Sequence, residues 1–172
     1  MTARRQDRKT ARPQDGKTAR LQDRTTRNMN TLPMEDLEIV KTITQGYSEL
    51  FGKGDIDVTA LPRSGSDRRY FRIYGDGKSI IGAHNANHEE NEAFIGFTHH
   101  FRSKLLPVPE IFGYFPDRFV YYLQDLGDDN LYTWLHKKPV LEPFDLETVE
   151  LYRKILDKLV LFQTRGITGL NL

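Results

Sequence analysis

Two runs of β-favouring residues, Arg69 to Tyr74 and Ser79 to Ala83, are separated by Gly75-Asp76-Gly77. No other spacing constrains the chain as strongly. Glycine and aspartate tolerate the positive φ that a tight hairpin turn demands, so the two runs should lie antiparallel and adjacent in one sheet. Upstream, Ile56, Val58 and Ala60 alternate along residues 56–61, which predicts a further strand with those three side chains on one face. A polar stretch, Pro62-Arg63-Ser64-Gly65-Ser66-Asp67-Arg68, turns the chain from that strand into the hairpin.

Helices flank this sheet. Pro33 followed by Glu35 and Asp36 reads as a helix start, with acids where the macrodipole favours them. Leu37, Val40, Ile43, Tyr47 and Leu50 then keep helical spacing until Gly52 and Gly54. Phe94, Phe97, Phe101 and Leu105 recur at intervals of three and four, predicting an amphipathic helix over residues 89–104 whose aromatic stripe covers a sheet face. Pro107-Val108-Pro109 ends it, and residues 110–114 and 119–124 form two strands around Pro116-Asp117-Arg118. A short helix is expected over residues 130–136, with breaks at Pro139 and Pro143. Asp145 then caps a last helix, whose apolar face (Val149, Tyr152, Leu156, Leu159, Phe162) nothing downstream covers.

The first residues are a different object. Thr2 to Lys9, Thr10 to Lys17 and Thr18 to Thr25 are three copies of one octapeptide pattern, almost without large apolar side chains. Ordering such a segment costs about 1–2 kcal/mol per residue in backbone entropy with no burial to offset it, so residues 1–30 are expected to be a disordered basic tail. Residues 1–28 hold nine Lys or Arg against three Asp, which leaves the remainder net negative. A basic arm invites a nucleic-acid reading, but no aromatic residue is interleaved for base stacking, so an inert tail is the better expectation. Met29 and Met34 are alternative starts of the folded chain.

Cysteine is absent, which excludes disulfides, thiolate metal sites and a cysteine nucleophile. No stretch approaches the roughly 20 apolar residues of a transmembrane helix, and no secretory signal core follows the arginine-rich start. A cytoplasmic address and no membrane partner are the expectations. His84 with His88, and His99 with His100, lack a carboxylate at a recognisable ligand spacing, so they read as surface histidines rather than a metal site.

Four segments carry a resemblance. Ser64-Gly65-Ser66-Asp67-Arg68-Arg69-Tyr70-Phe71-Arg72 resembles the nucleotide loop of the aminoglycoside-phosphotransferase-like sugar kinases, including the anomeric N-acetylmuramate and N-acetylglucosamine kinases. Glu90-Asn91-Glu92-Ala93-Phe94 and Leu106-Pro107-Val108-Pro109-Glu110-Ile111 resemble that family's crossing helix and the strand after it. Tyr122-Leu123-Gln124-Asp125-Leu126-Gly127-Asp128 resembles its hinge. The resemblance implies an α+β fold: a protein-kinase-like small lobe with a five-stranded, mostly antiparallel sheet over residues 31–127, then the first helices of a large lobe over residues 128–172. It implies ATP as the ligand, cradled by Ser64, Gly65, Ser66, Asp67, Arg68 and Arg69, with adenine at Gln124, Asp125 and Leu126 and a crossing-helix carboxylate at Glu92 or Glu90. Small residues in such a turn let backbone N–H groups approach an anion. Neighbouring strand residues face opposite ways, so one of the two arginines should face solvent.

Two departures qualify that implication. A kinase third strand carries a lysine that contacts the phosphates and pairs with a helix glutamate. Ser79-Ile80-Ile81-Gly82-Ala83-His84 has none, and Lys78 stands ahead of it as a solvated hairpin residue. The His-x-Asp catalytic loop is also missing from all 172 residues, so no catalytic residue is assigned and Mg²⁺ is expected only with the large lobe. The chain therefore reads as the ATP-binding part of a small-molecule phosphotransferase, inactive alone. The competing readings are a protein-interaction module that docks through its last helix, a gene fragment, and a nucleic-acid binder led by the basic tail.

Overall fold

The computed structural model describes residues 33–63, 65–137 and 145–170. The octapeptide tail, Ser64, Pro139 and Pro143 lie outside them. Helix α1 (Met34–Phe51) starts behind Pro33, and Gly52 ends it at a φ of 89°. Strands β1 (Ile56–Ala60), β2 (Arg69–Gly75) and β3 (Lys78–His84) follow. Asp76 and Gly77 carry φ of 50° and 76°, the paired positive values the hairpin turn needs. Lys78 belongs to β3, opposite Gly75, and is exposed. Helix α2 (His88–Ser103) is capped by Asn87, whose side chain accepts from the Glu90 backbone N–H at 3.1 Å. Strands β4 (Ile111–Phe115) and β5 (Val120–Gln124) flank a single 3₁₀ turn at Pro116–Arg118. Helices α3 (Leu131–His136) and α4 (Leu146–Leu161) begin at the capping residues Asn130 and Asp145.

The five strands form one sheet in the order β1-β2-β3-β5-β4, with every neighbouring pair antiparallel. The architecture is α+β. Its core has two layers, because alternate residues of each strand face opposite sides. On one side Val40, Ile43 and Tyr47 of α1 pack on Val58, Phe71, Ile73, Val120 and Tyr122. On the other, Ile81, Ala83, Tyr121 and Leu123 meet Phe94 and Ile95 of α2. Gly82 lets α1 lie close, since an added Cβ would stand 2.8 Å from Ile43 Cγ2. The Tyr122 hydroxyl donates to the Ile43 carbonyl at 2.6 Å and fastens the helix to the central strand.

Several expectations shift. The aromatic stripe of α2 divides: Phe94 packs on Tyr121 at 5.2 Å between ring centres, whereas Phe101 meets Phe162 at 5.3 Å. Phe162 is thus covered, while Tyr152, Leu156 and Leu159 of α4 stay exposed as the spacing implies. Leu105 leaves the stripe altogether, because the chain turns at a φ of 59° there and exposes it. Asp36 is no solvated helix-start acid but is 1% exposed. Among the described residues, no helix is long and apolar enough to cross a membrane.

Candidate functional site

The β1–β2 turn places Gly65, Ser66 and Asp67 at the surface. An added Cβ at Gly65 would meet nothing within 4 Å. Packing therefore does not account for a glycine at this position. Arg68 and Arg69 do point to opposite sides of the sheet, yet neither faces solvent, because a helix covers each side. Arg69 lies 2.6 Å from the buried carboxylate of Asp36 on α1, with Glu35 3.8 Å away. Arg68 lies over the Phe94 and Tyr121 rings at 5.3 and 5.9 Å, with its Nη2 3.6 Å from Glu90 Oε2.

Glu90, rather than Glu92, is the α2 carboxylate that faces the turn. Asn85 Nδ2 donates to it at 2.9 Å and Asn87 Nδ2 at 3.1 Å, while the Asn91 amide donates to the Asn85 carbonyl at 2.6 Å. Glu92, two residues on and so roughly 200° round the helix, lies 3.7 Å from His88 and beside the Tyr114 hydroxyl. Burial, reinforced by Glu92, pushes the Tyr114 phenol up to about 12. A polar cleft of about 750 Å³ opens between the α1 and α2 N-terminal turns, lined by Glu35 and Ile39 of α1, by Ser66, Asp67 and Arg69, and by Asn85 and Glu90; His84 also lines it and Arg68 does not. His84 is half-buried in it, not on the surface, and burial lowers its imidazole pKa below the ordinary value.

Gln124, Asp125 and Leu126 lie at the far end of the sheet and do not line that cleft. Gln124 stands opposite Ile80, which pairs with Ile73, whereas Arg69 pairs with His84. Four strand residues separate the two ends, roughly 13 Å at 3.3 Å per residue. Leu126 is mostly exposed, and among the described residues no backbone hydrogen bond holds it. Gly127 follows at a φ of 83° and donates its N–H to Asp125 Oδ1 at 2.9 Å.

Between the ends lies Arg72, which the sequence pattern did not single out. Its Nη2 donates to Asp125 Oδ1 at 3.0 Å, its Nε lies 2.7 Å from Oδ2, and its Nη1 donates to Asp128 at 2.7 Å. Burial acts to raise the Asp125 pKa, but Arg72, the Gly127 N–H and Ser79 outweigh it and hold the carboxyl below its ordinary value. The available signal was an arginine on the same strand face as Tyr70 and Tyr74, facing an acid-rich segment after β5. Asp36 and Asn91 gave no such signal, since surface positions carry the same residue types. No protein-family model matches the chain, and no curated protein matches it.

Proposed function

We propose that this chain is the nucleotide-binding lobe of a kinase-like small-molecule phosphotransferase, with ATP laid along the α2 side of the sheet from the hinge to the β1–β2 turn. The separation of the two ends carries the reading. The segment after β5 and the β1–β2 turn stand beyond opposite ends of the strands, whose rows at Gln124 and Arg69 are roughly 13 Å apart along the sheet, and an extended nucleoside triphosphate is long enough to run between them. Leu126 would present free backbone groups to the adenine edge. The Gly65 to Asp67 turn would offer N–H groups to the phosphates. The strand, turn, hairpin, helix and two-strand order agrees with a kinase small lobe, a fold-level analogy that supports binding and assigns no substrate.

Transfer needs a carboxylate to orient the acceptor hydroxyl and further ligands for Mg²⁺. The 172 residues contain no His-x-Asp loop to supply them. The proposed role is therefore binding, with a sugar hydroxyl as the acceptor only when large-lobe residues are supplied. Calorimetric titration of the full chain with ATP should show saturable binding. Absence of heat up to about 5 mM ligand would remove the reading.

One observation favours a second reading. Tyr152, Ile155, Leu156, Leu159 and Val160 expose an apolar strip along α4, and contiguous strips of that kind mark interaction surfaces. A docking module predicts association that rises with concentration, without ATP affinity. Sedimentation velocity over a concentration series separates the two readings.

A further inference from the structure

We propose that Arg68, set against Glu90 of α2, is the phosphate-binding cation of this lobe and stands in for the lysine that β3 lacks. The inference rests on the nucleotide reading above and adds to it the group that recognises the charged end of the ligand. Ile81 and Ala83 are the β3 residues packed toward α2, and neither carries charge. Lys78 lies at the hairpin end of β3, away from α2. On the α2 side of the sheet, then, a cation has to come from β2 or the turn before it.

Four arginines are near enough to consider, and three are committed. Arg63 pairs with Glu35 at the surface. Arg69 is held by the buried Asp36 on the α1 side. Arg72 is shared between Asp125 and Asp128. Drawing Arg69 or Arg72 away would strand a buried carboxylate. Arg68 differs. Its separation from Glu90, 3.6 Å, exceeds a hydrogen bond, so no carboxylate engages it directly. The Tyr70 hydroxyl stands near the guanidinium, which carries five N–H donors.

Glu90 does not need Arg68 as a donor, because Asn85 and Asn87 already fix its carboxylate. It acts as an oriented counter-charge, while the Phe94 and Tyr121 rings hold the guanidinium plane. The side chain is 17% exposed, so its edge remains open to a ligand. Guanidinium N–H groups that no carboxylate engages can take an acceptor, and a phosphate oxygen is one that a guanidinium binds well. The ligand class that follows is a nucleoside di- or triphosphate, in preference to the free nucleoside.

The test titrates adenosine and ADP into the full chain, using wild type, Arg68→Met, Arg68→Lys and Glu90→Gln, with a thermal melt of each. Loss of a charge-assisted bidentate contact should weaken ADP about tenfold or more in Arg68→Met while adenosine changes by less than about twofold. Arg68→Lys should recover part of the loss. A merely structural role for Arg68 would weaken both ligands together, and that result overturns the proposal. Equal ADP affinity in wild type and Arg68→Met overturns it too, while leaving the nucleotide reading intact. Failure of wild type to bind either ligand removes that reading, and this inference with it. Should Arg68→Met not fold, Arg68→Lys and Glu90→Gln carry the comparison: a selective loss of ADP supports the proposal, and unchanged ADP binding in both contradicts it.

Discussion

Arg72 bridges β2 to the segment after β5 through two carboxylates, and its side chain and that of Asp125 are both nearly buried. Deleting one partner of such a pair leaves the other charged and desolvated. Arg72→Ala should therefore destabilise the fold by about 3–5 kcal/mol in urea unfolding, whereas Arg72→Lys should fall between it and wild type because it loses the planar fork. The pH dependence of the pair has a definite sign. Asp125 titrates below its unfolded value, so its contribution is present above about pH 4 and is lost as pH falls through the folded value. His84 acts in the same direction at higher pH. Its folded pKa is depressed, so the unfolded chain binds the proton first, and stability should drop as pH falls below about 6.5. His84→Gln should flatten the stability curve between pH 8 and 5. Parallel curves for wild type and variant would contradict the burial assigned to His84.

At the scale of elements, the packing of α1 on the sheet depends on side chains that are missing. Gly82 in β3 and Gly46 in α1 leave room for Ile43 and for the Tyr122 hydroxyl. Gly82→Ala should cost about 1–3 kcal/mol by overpacking against Ile43 and Ile73, measured as a lower urea midpoint with unchanged slope. Periodicity made the elements legible: the alternation of β1, the Gly75-Asp76-Gly77 hairpin, the Asp145 cap and the 3.6-residue stripe of α1 all appear where the spacing puts them. It did not reveal what depends on partners distant in sequence. Asp36 reads as an ordinary first-turn acid until Arg69, 33 residues later, is placed beside it. Arg68 and Arg69 do face opposite ways, but helices on both sides of the sheet bury both. Leu105 fits the helical spacing and still leaves the core, because the chain has turned before reaching it.

For the molecule as a whole, the sheet is a five-stranded antiparallel layer between α1 and α2, and α4 extends beyond it with an exposed apolar strip. The turn and the segment after β5 were both legible as breaks between elements, but their placement at opposite ends of the strands was not, because it depends on strand register. The cleft at the turn and the exposed Leu126 backbone occupy opposite ends of the same strands. A nucleotide that joins them must perturb both ends at once. Amide chemical-shift mapping of the full chain during titration with ATP measures this directly. The nucleotide lobe predicts two clusters of shifted amides, at residues 65–69 and 124–128, that saturate together. Shifts confined to the basic tail, or none at either end of the sheet, would contradict it.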